Sequence, residues 1–401
     1  MRAYLDSIAA GYPAVSPAVI YLLGMLAFGA LVVFVFILPV AGITSWVERR
    51  VWARIQSRIG PNRVGPAGFL QWLADGLKNL LKEDVIPDAV DATLFRLAPY
   101  VVVAGFCAAF VALPFAGSLI IADLNIGILY ISAITSLVVI GILMAGWSSN
   151  NKWSMLGGIR SATQIICYEI PVGLAIFPVV LLSGTLSMQS IIAEQGWTPL
   201  SWNMFHSPFL FVSFLMFFVG ALAEGNRTPF DLPEADSELV AGFATEYSGM
   251  RSLLFFLAEW GNLYVIGVLV ATLYMGGWQV PQFTSNATLL TVAQFLTMFL
   301  KAYFWVFVAM WVRATLPRVR VDQFMALCWK YMVPIGLINV VATATMMVVF
   351  PHGSIVLRWV MVVLVLAILG QFARRVHYHL RRSDYGRLGR ISESTQGAVR
   401  G

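Results

Sequence analysis

The chain has 401 residues, of which 59% are hydrophobic and only 11% are charged, and its mean hydropathy is +0.80. Soluble domains carry about 25% charged residues, so this composition excludes a soluble enzyme and indicates a polytopic membrane protein. The net charge of +6 is explained by basic cytoplasmic connections that contact anionic lipid, and it gives no argument for nucleic-acid binding.

The sequence predicts an all-α polytopic membrane protein with about nine transmembrane helices, because each helix needs about 20 apolar residues. The first apolar run lacks the small-residue exit of a cleavable signal and is expected to be a permanent helix. We expect one transmembrane helical domain over residues 1–376 and a basic cytoplasmic tail over 377–401. The predicted spans are 17–45, 96–117, 124–147, 161–184, 208–223, 252–276, 287–312, 331–350 and 355–374.

Basic residues occur in alternate connections between the predicted spans. Segments 118–123, 185–207 and 277–286 contain no lysine or arginine, whereas 46–96 and the tail are rich in both. Cytoplasmic connections carry the excess of positive charge in membrane proteins. The pattern therefore predicts that the N-terminus lies outside and the C-terminus lies in the cytoplasm.

The first basic connection predicts two helical pieces joined by a defined bend. Arg50, Arg54 and Arg58 recur at helical spacing, so they are expected on one face of an extension of the first helix. The glycines and prolines of segment 60–66 predict a rigid turn. Segment 68–83 then alternates apolar and polar faces as an amphipathic helix. It either lies passively at the membrane surface or roofs a cavity entered by a lipid-soluble ligand.

An acidic connection over 224–251 follows the fifth predicted span. Asp231 and Glu234 have the spacing of a capping box, with Pro233 in the first helical turn. Capping does not account for Glu238 or for the other carboxylates of this segment, which are Glu224, Asp236 and Glu246.

Two more carboxylates, Glu169 and Glu259, lie inside apolar runs. Ionisable groups within membrane spans are costly and usually functional. They could form ion pairs that pin helices together, Glu259 with Lys301 and Glu169 with Arg160. The whole acidic series favours a hydrated proton path instead, and Pro171 and Pro178 are expected to bend the fourth span beside it.

Neither cysteine nor histidine spacing predicts a metal or iron–sulfur site, and there is no phosphate-binding glycine loop. We therefore expect this chain to bind no redox cofactor of its own. The last basic connection is expected to contact either lipid headgroups or a soluble partner, through Arg313, Arg318, Arg320 and Asp322.

At these residues the chain resembles a family of membrane subunits of the proton-pumping NADH:quinone oxidoreductase, respiratory complex I. The family comprises the bacterial H subunit and its mitochondrial counterpart, subunit 1. The resemblance runs from about residue 17 to 374. Its motifs stand in family order: Glu48-Arg49, segments 60–62 and 64–66, the helix 68–83, and segments 147–169, 224–242 and 313–323.

The resemblance implies an enzyme subunit that has no activity alone. Quinone is then the substrate, while FMN, NADH and iron–sulfur clusters belong to partner subunits. The implied partners are peripheral-arm quinone-module subunits and adjacent small membrane subunits. Residues matching the quinone chamber and its entrance are Glu48, Arg49, Arg58, Asp75 and Phe230. Residues matching the proton path are Glu169, Glu224, Asp231, Glu234, Asp236, Glu238, Glu246 and Glu259.

Three features depart from the family pattern. Asp236 stands where many relatives have glutamate, Lys301 has no assigned role, and the arginine-rich tail favours a bacterial inner membrane over mitochondria. Two alternatives remain: the equivalent subunit of a membrane-bound hydrogenase, or a stand-alone cation/proton antiporter. The absence of an inverted repeat with paired broken helices argues against the antiporter.

Overall fold

A computed structural model describes residues 31–233, 236–281 and 286–349, with isolated positions at 29, 359, 360, 363, 367, 370, 371 and 374. The described residues form helices joined by turns, without a β-strand. The α-helices are α1 (Leu38–Ile55), α2 (Gln71–Leu81), α3 (Ala92–Ala109), α4 (Gly127–Ser148), α5 (Lys152–Ser183), α6 (Met188–Glu194), α7 (Asn203–His206), α8 (Pro208–Glu224), α9 (Asp236–Leu239), α10 (Gly249–Tyr274), α11 (Ala287–Thr315), α12 (Val321–Ala326) and α13 (Val333–Val349).

The prediction of an all-α polytopic membrane protein is confirmed. Within the described residues, six helical stretches are long and apolar enough to span a bilayer: α3, α4, α5, α10, α11 and Val321–Val349. Helix α8 is equally apolar but has only 17 residues. The predicted count of nine is not confirmed. The start of span 17–45, the span 355–374 and the tail 377–401 lie outside the continuously described ranges.

The predicted extension of the first helix to Arg58 was wrong. Helix α1 ends at Ile55, so Arg58 does not continue the helical face of Arg50 and Arg54. The chain turns sharply there, with a left-handed φ of 55° at Ser57 and an amide of Arg58 that donates to the carbonyl of Ala53 at 2.7 Å.

The last long helix begins ten residues earlier than predicted, at Val321 instead of 331. Gln323 caps its start by accepting a hydrogen bond from the amide of Arg320. A π-helical turn, Leu327–Met332, then carries the helix on into α13 without interruption. The basic connection was predicted to cover residues 313–330. It is only about five residues long and lies between Thr315 and Val321.

Helix α10 forms the centre of the bundle and is the most buried of the six spanning stretches. It packs against α1, α2, α3 and α11. Two glycines allow this close approach. A Cβ on Gly261 would meet the ring of Phe106 at 1.9 Å, and a Cβ on Gly267 would meet the carbonyl oxygen of Ala302 at 2.5 Å. Small residues serve the same purpose at many helix contacts in membranes.

The predicted rigid bend after α1 is confirmed. Gly65, Ala67 and Gly68 have left-handed φ values of 71°, 55° and 72°. A Cβ on Gly68 would lie 2.2 Å from the carbonyl oxygen of Pro61, so only glycine fits there. Arg50 ties the bend to α1 by donating to the carbonyls of Pro61 and Ala67. The amphipathic helix follows directly, although it begins at Gln71 instead of residue 68.

Candidate functional site

A buried ionic cluster connects three long helices and the acidic connection at one end of the bundle. Arg227 donates to Glu48 at 2.9 Å and forms an ion pair with Glu259 at 3.1 Å. Arg313 also donates to Glu48, and the indole N–H of Trp260 donates to its second carboxylate oxygen at 2.8 Å. Glu48 therefore accepts bonds from three different segments of the chain.

Arg227 occupies the centre of this cluster because the chain turns tightly after α8. Asn226 has a left-handed φ of 48°, and the amide of Phe230 donates to the carbonyl of Arg227 at 2.7 Å. The side chain of Arg227 is only 2% exposed. A charge this deeply buried needs opposite charges around it, and Glu48 and Glu259 provide them.

A polar pocket of about 480 Å³ opens beside the cluster. Its volume is within the range of small-molecule sites. Trp52, Ile59, Phe256 and Trp260 form apolar parts of its wall. Four arginines and two glutamates also line it, so its charged lining is net positive: Arg49, Arg58, Arg227, Arg313, Glu48 and Glu259.

The amphipathic helix α2 lies beside this pocket and turns an apolar face outward. Leu77 and Leu80 are about 60% exposed within this chain. Trp72 packs against Gly42 of α1, and Asp75 forms an ion pair with Arg49 of the pocket wall at 2.5 Å. Helix α2 is thus fixed to the rim of the pocket by its polar face.

A second, much smaller cavity of about 30 Å³ lies deeper between the helices. It has room for one or two water molecules. Thr135, Asn226 and Asn262 supply polar groups to its lining, along with Glu224. Glu259 lines both this cavity and the large pocket. Glu259 therefore lies between the two spaces.

Glu169 lies beyond Glu224, close enough for the two carboxylates to interact electrostatically. It is exposed on the outer face of α5, next to the exposed apolar residues Ile166 and Ile170. The structure therefore orders three of the predicted acidic residues from the polar pocket to the outer surface: Glu259, Glu224 and Glu169.

The remaining predicted acidic residues have other partners. Asp231 pairs with Arg318 at 3.0 Å, and Glu238 pairs with Arg160 at 2.6 Å. Glu246 accepts a hydrogen bond from Asn151 at 2.6 Å. Glu234 and the side chain of Asp236 lie outside the described residues, and with them the predicted capping box; the short helix α9 begins at Asp236.

Three further predicted residues are not among the described residues that line the polar pocket. Phe230 is buried against Phe324, with ring centroids 5.2 Å apart, and does not line the pocket. Asp322 is exposed in the first turn of α12, where its charge favours the helix N-terminus. Arg320 is exposed immediately before that turn.

The two partners suggested for these ion pairs were wrong, although Glu259 does form an ion pair, with Arg227. Lys301 donates to the carbonyls of Met275 and Gly277 at 2.7 and 2.8 Å, at the C-terminal end of α10. It therefore caps α10 and does not pair with Glu259. Arg160 pairs with Glu238 and not with Glu169.

Sequence reasoning missed Gln164, which connects α5 to the acidic connection. Its side-chain amide is buried and donates to the carbonyls of Ala223 and Phe230 at 2.6 and 2.9 Å. A lone glutamine in an apolar run five residues before Glu169 was the available signal. For Arg227 the signal was equally plain, since it is the sole arginine among the carboxylates of segment 224–242.

Tyr247 marks where the acidic connection meets α10. Its ring stacks on Phe95 with centroids 4.1 Å apart, and its hydroxyl donates to the carbonyl of Phe95 at 3.2 Å. Burial raises the pKa of Tyr247 to about 12, despite the opposing effects of Ser148 and Arg251. The phenol therefore stays neutral and anchors the connection.

Comparison with known proteins gives consistent matches over most of the chain. The family described as NADH dehydrogenase matches residues 28–344. The H subunit of NADH-quinone oxidoreductase from Anaeromyxobacter dehalogenans is 56% identical over 330 residues, which cover 78% of this chain and 80% of the relative. NADH-quinone oxidoreductase subunit 8 of Rhodothermus marinus is 45% identical over 329 residues, covering 79% and 96%. The H subunit from Dehalococcoides mccartyi is 46% identical over 323 residues, covering 80% and 86%.

Proposed function

Because this chain belongs to the NADH dehydrogenase family, we propose that it is the membrane subunit of an NADH:quinone oxidoreductase that forms part of the quinone chamber and passes protons inward. The observation that carries this proposal is the position of Glu259. This residue lines both the polar pocket and the inner cavity, which Glu224 also lines. Chemistry in the pocket can therefore act directly on a group of the proton path.

The pocket suits a quinone headgroup. Quinone carbonyls are hydrogen-bond acceptors, and the pocket offers guanidinium donors from Arg49, Arg227 and Arg313. Trp52 and Phe256 provide flat apolar walls for the ring. The exposed leucines of α2 continue this apolar surface outward, and we assign them to the entrance for the quinone tail.

Reduction of a quinone adds negative charge beside Glu259 and Glu48. Added negative charge favours the protonated form of neighbouring carboxylates, so reduction promotes proton uptake at Glu259. One or two waters in the inner cavity connect that carboxylate to Glu224. The proposed inward path is then Glu259, Glu224 and Glu169, and it is shorter than the full acidic series.

Glu169 marks where this path leaves the subunit. Carboxylates within membrane spans face protein or water-filled cavities and not lipid. Its exposure on α5 therefore calls for a neighbouring membrane subunit that covers this face with a polar group. The relatives are named as subunits of NADH-quinone oxidoreductase, which supports this assignment over a hydrogenase subunit or a stand-alone antiporter.

The remaining assignments rest on the distribution of basic residues along the chain and on the family resemblance. The chain then sits in a bacterial inner membrane with its C-terminus in the cytoplasm, and the pocket faces the peripheral arm on the cytoplasmic side. Asp231 pairs with Arg318 and Glu238 pairs with Arg160. We propose that these pairs maintain the shape of the surface under that arm. Electron carriers and NADH then belong to partner subunits.

A photoreactive quinone analogue bound to the intact complex tests the quinone chamber. Crosslinks are expected in peptides that carry Trp52, Phe256 or Trp260, and excess natural quinone should abolish them. Crosslinks confined to other subunits, or to peptides around Phe177 on the outer face of α5, would rule out the proposed chamber.

A further inference from the structure

A second groove runs along the opposite side of α1 from the polar pocket. Val51, Ile55, Phe307 and Trp311 form its apolar lining, and its volume is about 460 Å³. Arg50 and Arg54 complete it. Residues 48, 49, 52 and 53 line the polar pocket and residues 50, 51, 54 and 55 line the groove. At 3.6 residues per turn these two sets fall on opposite faces of the helix.

The groove is cationic at one end and apolar at the other. The bond between Arg313 and Glu48 places these two residues at the same level along the helix axes. Arg54 is six residues beyond Glu48 and Phe307 is six residues before Arg313, so each is displaced by about 9 Å in opposite directions. The two arginines therefore lie toward the cytoplasmic end and Phe307 toward the membrane interior.

The cationic end has unused binding capacity. No carboxylate is among the described residues that line the groove. Arg54 is exposed, whereas the Nε of Arg50 is covered by the chain itself, so an outside ligand can reach Arg50 only through its terminal nitrogens. The Nη2 of Arg50 donates hydrogen bonds to the carbonyls of Pro61 and Ala67. Neither guanidinium meets a described carboxylate in the groove, so a phosphate placed there would meet positive charge that the groove itself does not neutralise.

We propose that this groove binds one anionic phospholipid, with its phosphate at Arg50 and Arg54 and an acyl chain along Phe307 and Trp311. Guanidinium groups bind phosphate oxygens in paired hydrogen bonds. Partly exposed aromatic side chains are well suited to the boundary between headgroup and acyl chain. An anionic phospholipid supplies both a negative charge for the arginines and a long apolar chain at membrane depth.

The lipid site is linked to the polar pocket through Arg50. The bend that Arg50 holds includes Pro61, which lines the pocket together with Gly60. A phosphate on the guanidinium therefore fixes the bend from the lipid side. Binding of the lipid does not depend on the proposed quinone function, because the groove and the pocket share no lining residue.

A photoactivatable phosphatidylglycerol analogue tests the site in the intact complex, reconstituted in nanodiscs of phosphatidylcholine. The variant is Arg54→Gln, and the matched control is Arg63→Gln, an exposed arginine on the bend outside the groove. Labelling of the peptide containing Phe307 and Trp311 is expected to fall about fivefold in Arg54→Gln, because one arginine contributes on the order of 1 kcal/mol with anionic lipid. Arg63→Gln should label like the wild type.

Competition on the wild-type complex provides a readout that needs no variant. Unlabelled phosphatidylglycerol should displace the probe at this peptide, and unlabelled phosphatidylcholine should not. Equal displacement by both lipids, or unchanged labelling in Arg54→Gln, would overturn the proposal. Labelling of a partner subunit, with none on this peptide, would show that protein covers the groove and would also overturn it.

Discussion

At the scale of single residues, the proposed mechanism depends on Arg227. Its guanidinium lies between the carboxylates of Glu48 and Glu259, and it is almost fully buried. Buried ion pairs contribute little net stability, but removing one partner strands a charge in a medium of low dielectric constant. Arg227 therefore supplies the positive charge that both carboxylates share beside the pocket.

Replacing Arg227 with methionine is expected to destabilise the subunit by about 3–5 kcal/mol, since two buried carboxylates lose their shared counter-ion. Thermal unfolding of the purified complex measures the effect, with dissociation of this subunit as the readout. The double variant Arg227→Met with Glu259→Gln should recover part of the loss. Additive losses in the double variant would show that the pair is not energetically coupled.

Gln164 permits a local prediction about the acidic connection. Gln164→Leu removes the side-chain donor shared by the carbonyls of Ala223 and Phe230, each of which keeps a backbone donor. The expected cost is about 0.5–1.5 kcal/mol for each lost bond. Hydrogen exchange of amides in segment 225–233 should therefore become faster. Gln189→Leu is the matched control, because Gln189 donates to Ala116 in a different part of the chain. Equal exchange in wild type and Gln164→Leu would remove Gln164 as an anchor of this connection.

At the scale of elements, the bend between α1 and α2 positions the pocket wall. Gly68→Ala places a Cβ 2.2 Å from the carbonyl oxygen of Pro61 and demands a left-handed φ from alanine. We expect the bend to shift and the KM for quinone to rise several-fold, with less effect on the rate at saturating quinone. Steady-state kinetics of the assembled complex with a short-chain quinone measure this split.

Gly76→Ala is the control for that experiment. Gly76 lies within α2, where an added Cβ meets nothing within 4 Å. Alanine should be neutral or stabilising there, because it favours helix by about 1 kcal/mol relative to glycine. A KM that rises equally in both variants would mean that the bend has no special role in the pocket.

The existence of the helices could be predicted from the sequence, but their ends could not. Apolar runs reveal burial in lipid, so α4, α10 and α11 were located within a few residues. Helix α1 was expected to continue to Arg58, because the spacing of its arginines does not report the left-handed turn at Ser57. The start at Val321 was missed since Arg318 and Arg320 resemble a loop, although Gln323 caps the helix there.

The charged residues of the site could be predicted from the sequence, but which of them pair with each other could not. The carboxylates of segment 224–242 are conspicuous in an apolar chain. Their partners are distant in sequence, with Arg227 and Glu48 separated by 179 positions and Arg313 and Glu48 by 265. Such pairs depend on how the helices pack, so Lys301 was matched with Glu259 merely because both lie in apolar runs.

At the scale of the whole molecule, the polar pocket, the inner cavity and the outer face of α5 follow one another in this order. Glu259 borders the first two, and Glu224 lies between Glu259 and the exposed Glu169. Glu238 lies off this line, at the surface with Arg160. Two carboxylates of the same acidic connection therefore differ in role, since Glu224 lies on the proposed path and Glu238 lies beside it.

Proton pumping by complexes that carry Glu224→Gln or Glu238→Gln, reconstituted in proteoliposomes, tests this distinction most directly. NADH oxidation with an artificial acceptor first establishes that each complex is assembled. We expect Glu224→Gln to lose quinone-linked pumping while its acceptor activity is retained, and Glu238→Gln to pump at nearly the wild-type ratio of protons to electrons. Wild-type pumping by Glu224→Gln, or a loss of pumping in Glu238→Gln alone, would contradict the path from Glu259 through Glu224.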